Sequence, residues 1–253
     1  MWTVVSRTHP GAVRTVNEDA VLWDPDLGLL VVADGMGGHN AGEVASRLTV
    51  ETMRAVLEKN SVDDDFTWPF GLNPNLSLSA NRLLAAIKLA NRRVFREAEE
   101  HAGYNGMGTT VVAALAEGAH LTFAGVGDSR VYALKGSEFK QLTTDDSWVT
   151  ILQRESGLDA SAFATHPMRH VLTNVIGASF DVDVAVEEID LAPGETLLFC
   201  SDGLHGGLTD EMMRDILQGE PDLERAAEKL VTDAVTRDGG DNVTVLLARY
   251  QDA

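Results

Sequence analysis

A single cysteine, Cys200, occurs in the 253 residues of this chain. Intramolecular disulfides are therefore excluded, and so are thiolate metal clusters, which need several sulfur ligands. Cys200 follows Leu197, Leu198 and Phe199, the setting of a small buried hydrophobe. Cations are scarce as well: 20 Lys and Arg face 39 Asp and Glu, a formal net charge of −19 at pH 7. Such a chain repels polyanions, so nucleic acid and anionic membrane surfaces are not expected partners. Long hydrophobic runs are also missing. Stretches such as Thr109 to Ala116 fall far short of the roughly 20 apolar residues that span a bilayer. Met1 to Pro10 has no charged head followed by an apolar core, so no secretory leader is expected and a soluble cytoplasmic protein is. Low-complexity segments and solenoid-type repeats are absent from the pattern.

What the sequence does contain is material for a core. Hydrophobic residues make up 44%, and no linker-like stretch divides the chain, so one domain over 1–253 is expected. Alternation predicts a strand over Met1 to Val5. Two more, Ala20 to Trp23 and Leu27 to Ala33, flank the turn Asp24-Pro25-Asp26 as a hairpin. Helical spacing of Ala45, Leu48, Thr52, Ala55 and Val56 predicts a helix over Ala41 to Lys59. Leu83, Ile87, Ala90 and Val94 predict a second over Ser79 to His101. Between them, Pro69, Gly71 and Pro74 break the period and mark a loop, with Asp63-Asp64-Asp65 as a solvated turn. Gly108 to Ala116, His120 to Val126, Arg130 to Leu134 and Glu138 to Gln141 read as an antiparallel meander. A helix over Trp148 to Gly157 and an excursion over Leu158 to Pro167 follow, then strands Val184 to Ile189 and Thr196 to Cys200. Helices Asp210 to Leu217 and Asp222 to Arg237 precede a last strand, Asn242 to Tyr250. Strands outnumber helices and run mostly hairpin-fashion. Two packed, mostly antiparallel sheets with helices outside, an α+β arrangement, satisfy both kinds of element.

Chemistry concentrates where apolar strands end in aspartate. Val31-Val32-Ala33-Asp34-Gly35-Met36-Gly37-Gly38-His39 delivers a carboxylate to a sheet rim, and Gly35 lets an ion or ligand approach the backbone. Leu197-Leu198-Phe199-Cys200-Ser201-Asp202-Gly203 repeats the device, and Asp241 stands between Gly239-Gly240 and the last strand. Taken singly, each aspartate reads equally as a turn residue. Converging, the three could not all stay ionised without cations, since like charges raise one another's pKa. Oxygen ligands alone, with no nearby cysteine, favour Mg²⁺ or Mn²⁺ over Zn²⁺.

An ordered set of segments carries a resemblance. These are Arg14-x-x-Asn17-Glu18-Asp19, Asp34-Gly35-Met36-Gly37-Gly38-His39 with Gly42-Glu43, and Gly108-Thr109-Thr110. Gly127-Asp128-Ser129-Arg130 with Tyr132 comes next, then Leu142-Thr143-Thr144-Asp145, Ser201-Asp202-Gly203-Leu204 and Gly240-Asp241-Asn242-Val243-Thr244-Val245. The chain resembles the metal-dependent Ser/Thr protein phosphatases of the PPM (PP2C-type) family in their compact bacterial form. The resemblance implies a four-layer α-β-β-α sandwich with two ions, Mn²⁺ or Mg²⁺, in a cleft at one end. It implies that Asp34 bridges both ions, Gly35 offers a backbone carbonyl, and Asp202 and Asp241 complete one ion. Glu18 and Asp19 would act mainly through bound waters, and Arg14 would hold the phosphate of a phosphoserine or phosphothreonine protein. A hydroxide bridging the ions would attack phosphorus. Asp128 would bind a weaker third ion with Asp202 and a carbonyl near Thr165. Residues 146–168 would form the variable flap beside the cleft. The implied partners are phosphorylated proteins and a cognate Ser/Thr kinase with its targets, met by a monomer.

Several residues keep a second reading. Arg14 also fits an exposed turn, Asp128 a turn residue paired with Arg130, and His39 either the acid for the leaving oxygen or a neighbour without that role. Animal relatives have histidine where this chain has Met36. Gly206, Asp146 and Asn174 also depart from common family residues, which bears on the third ion and on substrate contacts. Three rival readings are a binding protein that keeps the fold without activity, a nucleotide binder using Gly35-Met36-Gly37-Gly38, and an enzyme with Asp34 as nucleophile. No Lys-Ser or Lys-Thr follows the glycine loop, and Met36 occupies the place of the usual second aspartate.

Overall fold

The computed structural model describes residues 1–37, 41–62, 68–157, 166, 168 and 171–251. His39, Asp63 to Asp65 and Thr165, singled out above, lie outside these residues. One sheet contains β1 (Trp2–His9), β11 (Val243–Tyr250), β10 (Thr196–Cys200), β7 (Arg130–Lys135) and β8 (Glu138–Gln141), in that spatial order. The second contains β2 (Asp19–Asp24), β3 (Leu29–Met36), β5 (Val111–Glu117), β6 (His120–Val126) and β9 (Ala185–Asp190), with the short β4 (Gly108–Thr109) also pairing β3. All described pairings are antiparallel. Helices α1 (Ala41–Val62) and α2 (Leu78–Glu100) pack on the second sheet. Helices α4 (Asp202–Gly207), α5 (Asp210–Gly219) and α6 (Leu223–Arg237) pack on the first, and α3 (Trp148–Ser156) stands between β8 and β9 in the chain.

Continuous apolar runs in the central strands follow from burial on both faces. Along β3, Leu29, Val31 and Ala33 enter the core under α1 and α2, while Leu30 and Val32 point to the opposite sheet. Along β10, Leu197 and Phe199 face that same inter-sheet core, and Leu198 and Cys200 face the helices. Strand β11 alternates likewise, with Val245 and Leu247 outward and Leu246 and Ala248 inward. Side chains alternate with period two, so each buried strand feeds two of the three cores that four layers require. Cys200 is fully buried, and burial pushes its thiol up to about 12.

The four-layer sandwich agrees with the expected fold, but its wiring departs from the expected meander. β5 and β6 form one hairpin and β7 and β8 another, and the two hairpins belong to opposite sheets. Gly127-Asp128-Ser129 is therefore a crossing between sheets and not a hairpin turn. Period-two patterning fixes which face of a strand is buried, not which neighbour it pairs with. The third strand also runs past its expected end: Gly35 and Met36 pair with Thr109 and Gly108, so Asp34 sits within β3, opposite Asp19 of β2. Helix α4 was not expected, because Gly203, Gly206 and Gly207 disfavour helix.

Candidate active site

Both sheets contribute to one end of the sandwich. From the second sheet come Asp19 and Asp34, directly opposite each other on β2 and β3. The backbone of Asp34 is held on both sides: its N–H donates to Thr110 Oγ1 at 3.2 Å, and its carbonyl accepts from Thr109 Oγ1 and Thr110 N at 2.8 Å. From the first sheet come Asp202, at the start of α4 just past β10, and Asp241, just before β11. Ser201 ties the halves together. Its hydroxyl donates to Asp19 Oδ2 at 2.9 Å and accepts from Thr244 N at 2.9 Å. Arg14, Glu18, Asp34, Gly35, Asp128, Asp202 and Asp241 line a common cavity of about 350 Å³.

Electrostatics make this cavity unlike any ordinary acidic surface. Burial first, then Asp19 and Asp202, hold the Asp34 carboxyl well above the usual carboxylate range. Burial also raises Asp19 to about 7 against the pull of Thr244 and Ser201, with Asp202 and Asp241 adding repulsion. Asp128 rises to about 7 through burial and the nearby charges of Asp202 and Asp145. Asp19 Oδ1 is buried and has no hydrogen-bond partner among the described residues. Arg14 offers only a half-exposed contact, Nη2 to Asp241 Oδ2 at 3.0 Å. Hard oxygen donors with unmet charge fit a divalent cation of the Mg²⁺ or Mn²⁺ kind. Among the described residues, no three acidic, His or Cys side chains are yet grouped tightly enough to hold an ion. The carboxylates line an open cavity, and closure around an ion needs waters or small side-chain shifts.

Of the expected site residues, seven line this cavity, Asp19 lies opposite Asp34 on the neighbouring strand, and His39 is outside the described residues. Glu18 lines the cavity, but its Oε1 accepts from Gly42 N at 3.1 Å, capping the N-terminal turn of α1. The pairing of Asp128 with Arg130 is not found. Arg130 is forked onto Asp145 at 2.8–3.1 Å and also donates to Tyr132. The Asp128 carbonyl instead meets His205 Nε2 at 3.0 Å, and burial pushes the His205 imidazole down to about 4.

Sequence reasoning missed Asn242, a buried hub. Its side chain donates to Pro10 O and Val16 O and accepts from Glu18 N at 2.8–3.0 Å, fixing the loop that carries Arg14. A polar amide heading an apolar strand is the signal that could have found it.

Gly35 is required for a reason the sequence suggested only in part. A Cβ there would lie 2.1 Å from Gly42 O and 2.6 Å from Glu18 O, both backbone atoms. Gly35→Ala is expected to lower stability by at least about 3 kcal/mol, read as a shift in the urea midpoint. An unchanged midpoint would mean that β3 and α1 can separate freely.

The family profile described as Protein phosphatase 2C matches residues 11–233. The serine/threonine phosphatase stp of Listeria welshimeri is 34% identical over 248 residues, covering 95% of this chain and 93% of its own. The crystal structure of the Mycobacterium tuberculosis serine/threonine phosphatase PstP/Ppp superposes with a TM-score of 0.86 at 33% identity, covering 99% of each chain. The catalytic domain of the serine/threonine protein phosphatase PstP, solved in complex with two manganese ions, gives 0.82 at 33% identity and 99% of each chain. With the profile running through most of its length and such relatives spanning nearly all of it, this chain belongs to the protein phosphatase 2C family.

Proposed function

We propose that this protein is a Mn²⁺- or Mg²⁺-dependent protein serine/threonine phosphatase that hydrolyses phosphoserine and phosphothreonine on proteins. The observation that carries the reading is the set of mutually repelling carboxylates, Asp34, Asp128, Asp202 and Asp241, that line one cavity together with Arg14. Asp34, Asp202 and Asp241, with the Gly35 carbonyl, would hold two ions, and Asp19 and Glu18 would contact them through water. Asp128 would hold a weaker third. Bound ions supply an activated water and neutralise phosphate charge.

The chain's own groups do the rest. Arg14 leaves Asp241 and turns its planar fork to the phosphate oxygens, fixing the phosphorus for in-line attack. Exposure of about half for both partners makes that ion pair weak and easily exchanged. His39, outside the described residues, would protonate the departing serine or threonine oxygen. The 10–18 loop is tied by its backbone to Asn242, so the side chain of Arg14 can exchange partners while the loop that carries it stays beside Asp241. Residues 146–168, which include α3, would be a flap on a single domain of 1–253. The targets would be products of a cognate Ser/Thr kinase, met in the cytoplasm by a monomer.

The direct test is hydrolysis of a phosphothreonine peptide by wild type and Asp202→Asn, with Mn²⁺ titrated from zero. Turnover that requires metal and drops at least about a hundredfold in the variant is expected. A folded wild type inert at saturating Mn²⁺ with several peptides would return the protein to a binding role.

A further inference from the structure

A second cavity, of about 320 Å³, adjoins the proposed catalytic cavity with Met36 in the walls of both. Its other walls are largely apolar: Phe95 and Ala98 from α2, Met107 ahead of β4, and Val175 and Ala178 from the segment before β9. Glu99 is also part of its lining and is exposed. None of these residues takes part in the chemistry proposed above. We infer that this recess is a specificity subsite that receives an apolar side chain next to the phosphorylated residue of the substrate. The inference rests on the phosphatase reading of the adjoining cavity.

Geometry selects that occupant. A phosphate held between Arg14 and the carboxylates places the phosphorylated residue over Asp34. Met36 lies two strand residues further along β3, about 7 Å away. Successive substrate Cα atoms are about 3.8 Å apart, so a neighbouring residue passes Met36 and can turn its side chain into the recess. The walls set the dispersion contacts of Met36, Phe95, Met107 and Val175 beside two polar side chains, Asn105 and Glu99, a mix that fits an aliphatic or aromatic side chain entering from a polar rim. Met36 and Met107 add unbranched, adaptable walls that suit more than one apolar shape. Charge narrows the choice further. With Glu99 in the lining and a chain of net charge −19, an acidic neighbour is repelled there.

Ala98 gives the means of testing this without touching the chemistry. It lies on the partly buried face of α2, and leucine there keeps helix propensity while filling the recess. The substrates would be phosphothreonine peptides with Leu or Gly immediately before or after the phosphothreonine, and p-nitrophenyl phosphate, which has no flanking residue. Wild type is expected to favour Leu on one side by about tenfold or more in kcat/KM. Ala98→Leu should abolish that preference and leave turnover of the Gly peptides and of p-nitrophenyl phosphate unchanged. If Ala98→Leu is unstable, Ala98→Val should halve the preference or more in a folded protein. No Leu preference in wild type, or a preference that survives filling, overturns the subsite while leaving the phosphatase intact. Concentration-dependent dimerisation dispersed by Ala98→Leu, without any peptide preference, would assign the recess to a second copy and overturn it too. A wild type inert on every substrate overturns the catalytic reading and the subsite with it.

Discussion

Asp34→Asn is expected to lower kcat by about a thousandfold or more and, in the absence of metal, to make the protein more stable. The two effects have one cause. The Asp34 carboxylate is opposed by its surroundings, first through burial and then through the charges of Asp19, Asp202 and Asp128. An amide keeps the shape and does not ionise, so the metal-free fold is spared the cost of either burying that charge or taking up a proton to neutralise it. The same change removes the ligand proposed to serve both ions, and each factor of ten in rate corresponds to about 1.4 kcal/mol of lost transition-state stabilisation. The backbone contacts to Thr109 and Thr110 do not depend on the side-chain charge and should persist. Turnover of p-nitrophenyl phosphate at saturating Mn²⁺ and urea midpoints in chelator would measure both effects. A variant with more than a tenth of wild-type kcat, or with a lower midpoint, would remove Asp34 from the centre of the mechanism.

The second large effect concerns pH. Asp19 and Asp128 rise from 3.8 to about 7 in the folded chain, and Asp34 rises as well. Between about pH 4 and 7 the folded chain therefore keeps protons that the unfolded chain has already released. Stability falls as pH rises wherever the folded state binds more protons. The penalty is absent below 3.8, grows through the window, and is complete above about 7. Taken alone, either shift would cost the ionised form on the order of 4 kcal/mol, and mutual repulsion means the costs are shared, not summed. Chelator-treated protein is accordingly expected to lose roughly 5–10 °C in Tm between pH 5 and pH 7.5. Saturating Mn²⁺ should flatten or reverse that slope, since a cation binding only the folded, ionised site adds stability by mass action. A metal-free Tm that climbs across the same window would contradict the cluster.

Much of this could be read from the sequence, for identifiable reasons. The carboxylates of Asp34, Asp202 and Asp241 were legible because each adjoins an uninterrupted apolar strand, a pattern visible one residue at a time. The apolar character of β3, β10 and β11 was legible for the same reason. Pairing was not. Gly127 to Ser129 has the length and composition of a hairpin turn, yet it carries the chain from one sheet to the other, a choice made by distant contacts. The partner of Arg130 was missed similarly, because Asp128 is close in sequence and Asp145 is close in space. Glu18 looked like a candidate for water-mediated contacts, and its hydrogen bond to the start of α1 depends on where that helix lands. Asn242 was placed at the head of the last strand but given no role, because the backbone groups that satisfy its side chain belong to a loop more than 220 residues away in sequence.

The lone thiol at Cys200 has a consequence outside catalysis. It lies fully buried in β10, two residues before Asp202, with its proton held far more tightly than in water. The thiolate is the species that reacts with alkylating reagents and oxidants, so the native protein should be nearly inert to both. Labelling must wait until the strand separates from its neighbours on either side, an opening close to global unfolding. Cys200 is thus an internal clock: its modification rate counts excursions of the core, uncomplicated by any second sulfhydryl.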